Sequence, residues 1–294
     1  MDIAKLKMLC DIAETGNFTM TANRMGYTQS AVSHSVNKIE AELGFSLMNR
    51  TSTGIDLNSS GKTLMPYIRM VVAHYDRMRD VADSIVDLQH GTLSIGTYCS
   101  IAAQWLPSIL KKYHEAFPNI EIKLYEGGIK EIESRLEDGS IDFAFISWQK
   151  NRNYQFITLV RDPLYAVFSK DFNIPEEYKK DFPVDAFKEY PFIALDPTVD
   201  NDTFSVLESA GVKPLVCFTC RDDHTIISMV KKNVGISLLP GLFIKGEEKE
   251  LQTIEVKPCA IRTLGIAFLS EKNLPPAAKS FIDLASKMIK GNEI

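Results

Sequence analysis

Thr28, Gln29, Ser30, Ser33, His34, Asn37 and Lys38 form the group of side chains best suited by type and spacing to recognition chemistry. A glutamine amide can meet adenine through two hydrogen bonds, and a serine hydroxyl can meet several bases. Gln29, Ser30, Ser33 and His34 are therefore the candidates for reading base edges. Thr28 opens the segment as a polar helix cap. Its hydroxyl, with that of Ser30, is also suited to holding a phosphate beside free N–H groups. Lys38 and Arg50 are candidates for phosphate contact. No enzyme chemistry requires such a face, whereas a reader of duplex DNA does.

A second group lies at the ends of expected strands. Cys99, Ser100 and Ile101 follow one strand and stand just before a helix. Free N–H groups and the positive end of the helix dipole suit a carboxylate there, with Ser100 the best single candidate. Gly127, Gly128 and Ile129 follow the next strand, and Ser147 and Trp148 the third. Thr198 and Val199, then Cys220 with Arg221, Asp222 and Asp223, hold comparable places further on. Asp200, Asp202, Asp222 and Asp223 read as helix caps. Any of them facing a cleft would favour a ligand with an amine.

Cys217 and Cys220 raise a thiol-switch alternative. On an extended strand such residues stand about 10 Å apart on opposite faces, and a disulfide needs Cα atoms within about 7 Å. The five cysteines are expected to be free thiols, and the five histidines show no metal-ligand spacing. No glycine-rich phosphate loop, nucleophile elbow or metal cluster is present, so no enzyme activity and no cofactor are expected.

The elements that must position these residues follow from periodicity. Ile3, Leu6, Leu9, Cys10 and Ala13 make one helical stripe over 3–14, ended by Gly16-Asn17. A helix-turn-helix spans Phe18 to Asn37, its apolar positions Ala22, Met25, Val32, Val36 and Ile39 interrupted at Gly26-Tyr27-Thr28. Gly44 suits a C-cap. Residues 50–57 read as a two-stranded wing around Thr53-Gly54, and 58–61 as a helix start. In the long helix of 61–89, Leu64, Ile68, Val71, Tyr75, Met78, Ala82 and Ile85 step alternately by four and three, a seam for a dimer coiled coil. From Thr92 the pattern is strand 93–98, helix 104–117, strand 120–125, helix 130–138 and strand 141–146, a parallel α/β unit. Strands at 164–168, 192–195, 215–219 and 234–239 follow, with helices near 203–210 and 223–232. Strands at 251–256 and 264–269 and a helix over 276–290 close the chain. Two α/β lobes with a cleft at the strand ends are expected.

With 294 residues and 45% apolar content, the chain is long enough for two or three domains. No apolar run is long enough for a membrane span, and the first residues lack a signal-peptide core, so a cytoplasmic location is expected. Net charge is −5, and residues 1–60 hold five Lys/Arg against six Asp/Glu, yet no acid stands between Thr15 and Ile39. Modest non-specific DNA affinity and a shallow salt dependence follow.

The whole chain resembles the LysR-type transcriptional regulators. The resemblance rests on Gly16-Asn17-Phe18-Thr19, Ala22, 29–33, Ile39-Glu40, Leu43-Gly44, Leu47, Arg50, Leu57 and Gly61. Leu106-Pro107, Phe117-Pro118, 136–139 with Asp142, 234–236 and Leu239-Pro240 extend it. Thr21, Met25 and Met48 depart from the usual Ala, Leu and Phe as tolerable core swaps. The resemblance implies a winged helix-turn-helix at 1–60, a linker and dimerisation helix at 61–90, and a two-lobed periplasmic-binding-protein-like effector domain at 91–294. Lobe I takes about 91–161 and 266–294, lobe II about 162–265. It further implies a homodimer or homotetramer, RNA polymerase as a further partner, and a small-molecule effector, with a carboxylate in view. The effector would be lined by Cys99, Ser100, Ile101, Gly128, Ile129, Ser147, Trp148, Thr198, Val199 and Cys220. A solute-binding module of the same fold is the alternative from another class, and an enzyme built on the lobes the third.

Overall fold

The computed structural model describes residues 2–51, 54–86, 91–150, 152–199, 202–291 and 293. It divides into two compact units, Met1–His90 with Glu137–Ser140, and Gly91–Leu136 with Ile141–Ile294.

In the first unit α1 (Ile3–Thr15), α2 (Phe18–Met25) and α3 (Gln29–Leu43) precede a hairpin of β1 (Met48–Thr51) and β2 (Gly54–Leu57), then α4 (Ser59–Val86). Local chemistry sets each boundary. Asn17 Oδ1 accepts from the N–H of Thr19 at 2.8 Å and of Met20 at 3.3 Å, and Thr28 Oγ1 from that of Ala31 at 3.2 Å. Gly26 ends α2 at φ 71°, a left-handed conformation that costs a side-chain-bearing residue energy. Leu9, Ile12, Ala22, Val32, Val36, Ile39 and Leu47 pack into one core. Thr21 joins it fully buried, its hydroxyl 3.0 Å from that of Thr15, which explains how a polar residue is tolerated there. Glu40 Oε1 accepts from the N–H groups of Leu47 (2.6 Å) and Met48 (3.2 Å), fixing the wing to the end of α3. Replacing Asn17 with alanine is expected to cost about 1 kcal/mol in urea unfolding, while Asn17→Asp stays near neutral. An unchanged Asn17→Ala midpoint would remove the cap from the account.

The seam of α4 differs from expectation. Leu64 and Ile68 pack into the helix-turn-helix core beside Met65 and Val72. Val71 (52% exposed), Met78 (57%) and Ala82 lie on the outside. The reason is periodicity: a straight helix of 3.6 residues per turn drifts from a 3.5-residue repeat, so one stripe cannot serve the core and a partner throughout. The side chain of Ile85 and residues 87–89 lie outside the described residues, as do Ser52, Thr53 and Asp200.

The second unit opens with β3 (Gly91–Thr97), α5 (Cys99–Gln104), α6 (Leu106–Ala116), β4 (Ile120–Glu126), α7 (Ile129–Glu137) and β5 (Phe143–Ser147). β3 runs parallel to both β4 and β5. The single helix expected over 104–117 is two, because Trp105 interrupts it and Pro107 begins the second. Cys99, Ser100 and Ile101 consequently lie inside α5 rather than before a helix.

β6 (Gln155–Ser169) is far longer than the strand expected at 164–168. Arg161, Asp162 and Pro163 hide its first half, since a proline in a run argues against a strand. Then come β7 (Phe182–Pro183), β8 (Phe192–Leu195), α8 (Asp202–Ser209), β9 (Val216–Cys220), α9 (Asp223–Lys231), β10 (Ser237–Pro240), α10 (Gly241–Ile244), β11 (Leu251–Lys257), β12 (Ile261–Phe268) and α11 (Pro276–Lys290). The main sheet has the order β4-β3-β5-β12-β6-β11-β7, with β10 also beside β6 and β8-β9 a separate parallel pair. Residues 155–163 of β6 pair with β12, and 164–169 pair with β10 and β11. One strand therefore serves two cores, one around Leu93, Phe143, Phe145 and Phe281, the other around Phe168, Phe182, Phe187 and Phe192. Among the described residues, no helix is long and apolar enough to cross a membrane, and no group of His, Cys, Asp and Glu is placed to hold a metal.

Candidate nucleic-acid interface and ligand cleft

α3 buries Val32, Val36 and Ile39 and turns its other face out. Steps of four along a helix stack side chains into rows. Gln29, Ser33 and Asn37 make one row, and Ser30, His34 and Lys38 the next. All are exposed except Ser33, which is half-buried. Thr28 is exposed, but its hydroxyl is engaged as the cap and lies 3.0 Å from that of Ser30. A fifteen-residue helix spans about 22 Å, enough to follow a major groove over several base pairs. Arg50 is on β1 opposite Ile55; its side chain lies outside the described residues.

A cavity of about 420 Å³ opens between the two cores of the second unit. Tyr98, Cys99, Glu126, Gly127, Gly128 and Glu131 come from the ends of β3 and β4 and the first turn of α7. Val199, Arg221, Asp222 and Asp223 face them from the ends of β8 and β9, with Phe243 and Arg262 between. The two sides touch: the Ile129 N–H donates to the Val199 carbonyl at 3.2 Å. A Cβ on Gly128 would fall 2.7 Å from the Thr198 carbonyl oxygen and 2.8 Å from Val199 Cα, so only glycine permits this approach.

Of the residues expected in the cleft, Cys99, Gly128 and Val199 form its wall. Ser100 is buried behind it, its Oγ accepting from Arg262 Nη2 at 3.3 Å. Ile101 and Ile129 point into the apolar core, as the helical spacing of α5 and α7 requires. Ser147 is also buried; its Oγ donates to Asp202 Oδ1 at 3.0 Å and accepts from Gln149 Nε2 at 2.9 Å. Trp148 lies outward, 49% exposed. Thr198 is exposed and bonded through N–H and hydroxyl to Asp196. Cys220 is half-buried with its thiol 3.8 Å from Met229 Sδ, and Cys217 is exposed on the same strand, both as free thiols.

Sequence reasoning missed Glu126, Glu131, Phe243, Arg262 and Asp162. Arg262 and Asp162 are cross-strand partners at the point where β6 passes between the cores, with Nε 2.8 Å from Oδ2. Two charges within otherwise apolar strands were the available signal. Asp222 does cap α9, accepting from the Thr225 N–H at 2.9 Å, and its hydrogen bonds with Thr225 hold its carboxyl below the usual range. Burial, followed by the charges of Asp223, Glu126 and Asp222, pushes the Cys99 thiol up.

The architecture is that of a winged helix-turn-helix reader joined to a two-lobed α/β binding domain. Residues 3–62 match the model for the bacterial regulatory helix-turn-helix proteins of the lysR family, and residues 87–289 match the LysR substrate binding domain. The chain belongs to the LysR-type transcriptional regulators, DNA-binding proteins with an effector-binding domain. It is 28% identical to the uncharacterized HTH-type transcriptional regulator YvbU of Bacillus subtilis, over 98% of this chain and 99% of that one. A full-length OxyR variant of Pseudomonas aeruginosa shares the fold with a TM-score of 0.73 at 19% identity, covering 98% of this chain and 95% of that one. Full-length CbnR complexed with its target DNA follows at 0.68 and 17%, covering 98% and 99%.

Proposed function

We propose that Gln29, Ser30, Ser33 and His34 read base edges in the major groove of an operator, while Thr28, Lys38 and Arg50 hold phosphates. CbnR, solved on its target DNA, supports a duplex as the partner. Residues 1–60 act as the reader, 61–90 as the linker and dimerisation helix, and 91–294 as the effector domain, with its lobes divided near 161 and 266. Val71, Met78 and Ala82 supply the contact for a second copy, and dimers pair into tetramers that act with RNA polymerase. The protein works in the cytoplasm and catalyses no reaction.

The observation that carries the reading is the cavity walled from both lobes, with Ile129 and Val199 in contact across it. A ligand seated there changes the balance between open and closed lobes. It does so only by its difference in affinity for the two states. Closure then alters the spacing of paired recognition helices over two half-sites.

Sequencing the genomic fragments retained by the purified protein, with and without cell metabolites, tests this. Enrichment of a few sites with a repeated half-site motif, shifted by metabolites, is expected. A retained pool indistinguishable from the input under both conditions would overturn it.

A further inference from the structure

We propose that the effector of this regulator carries a protonated primary amine, seated among Glu126, Asp222 and Asp223. The proposal rests on the cleft being the effector site and names the chemistry of its ligand.

The side chains of the wall include four carboxylates, Glu126, Glu131, Asp222 and Asp223, and two guanidiniums, Arg221 and Arg262. The second guanidinium is already committed. Its Nε lies 2.8 Å from Asp162, its Nη1 3.9 Å from Asp202, and its Nη2 donates to Ser100. Glu131 is offset by Arg135 at 3.3 Å. Glu126, Asp222 and Asp223 therefore face the cavity with Arg221 as the remaining cation of the wall.

A simple carboxylate would enter this space beside charges of its own sign. Asp223 is only 4% exposed, so salt screens it poorly. The hydroxyl best placed to receive an acid, that of Ser100, is buried and held by Arg262. An ammonium reverses each term: it brings three N–H donors to carboxylate acceptors and charge of the opposite sign. Tyr98 and Phe243 give its carbon skeleton an apolar surface, and Arg221 can accommodate one acidic group on the same molecule. The upward displacement of the Cys99 thiol by Asp223, Glu126 and Asp222 reports the same negative surroundings.

Cys99 allows the charge of the cavity to be measured without knowing the ligand. The full-length protein is treated with 2-aminoethyl and with 2-sulfonatoethyl methanethiosulfonate, and labelling is followed at each cysteine by peptide mass spectrometry. Exposed Cys259 is the internal reference. The cation-to-anion rate ratio at Cys99 is expected to exceed that at Cys259 roughly tenfold. It should fall toward the reference in Glu126→Gln and Asp222→Asn, whose new amides retain the shape and, at 222, the cap.

In parallel, a panel of primary amines, amino acids and matched carboxylic acids is screened by thermal unfolding. Amines or zwitterions should raise Tm and protect Cys99, with affinity reduced roughly 10- to 100-fold in Glu126→Gln or Asp223→Asn. Equal or anion-favoured labelling, or protection of Cys99 by amine-free acids alone, would overturn the amine and leave the effector cleft standing. A cation-favoured Cys99 that neither class of ligand protects would instead remove the cleft as effector site, and this proposal with it.

Discussion

Arg262→Ala is expected to destabilise the effector domain by about 3–5 kcal/mol, with a large downward shift of its unfolding transition. The guanidinium is 2% exposed and bonded to Asp162, which is itself buried. It also lies 3.9 Å from Asp202 and donates to Ser100. Removing it leaves the Asp162 carboxylate buried without its charge partner, although Oδ1 still accepts from the Leu242 N–H at 3.0 Å. The penalty comes from the stranded charge rather than from the intrinsic strength of the pair. The double replacement Arg262→Met with Asp162→Leu should therefore recover most of the loss. Urea titrations of the three proteins check this. A single variant within 1 kcal/mol of the parent, or a double variant no better than the single, contradicts the account of Arg262 as the tie between the lobes.

The second large effect is expected at Gln29. Gln29→Ala should lower affinity for the cognate operator by about 1–3 kcal/mol, the discrimination carried by a bidentate base contact. Affinity for random duplex should hardly change. Gln29 is exposed at the first position of α3, and the cap is made by Thr28, so the helix survives the change. Lys38→Ala should behave oppositely. It should weaken all sequences alike and reduce the slope of log affinity against log salt by about one. Gel-shift titrations on operator and random DNA at several salt concentrations separate the two. Equal losses for Gln29→Ala on both DNAs would take it out of base reading.

The reader unit was legible because its instructions are local. Asn17, Gly26 and Thr28 each act within four residues of their own position, and the burial of Val32, Val36 and Ile39 is set by helical geometry alone. The alternation of strands and helices that opens the effector domain was legible for the same reason. The seam of α4 was only half legible. Its residues are apolar either way, and nothing in Leu64 or Ile68 says whether a neighbour in the chain or a second copy covers them. β6 was missed through Arg161, Asp162 and Pro163, whose placement makes sense only once β12 stands alongside.

The sequence by itself thus determined that this is a winged helix-turn-helix regulator with a two-lobed α/β domain, and which face of α3 is polar. Caps, turns and periodicity are short-range properties of the chain. Tertiary structure alone decided the character of the cleft. Glu126, Asp223 and Arg262 come from three distant strand ends, and whether each charge meets a partner or faces the cavity depends on what folding brings beside it. Ser100 looked like an anion seat from its place after β3, but Arg262, far along the chain, had already claimed its hydroxyl.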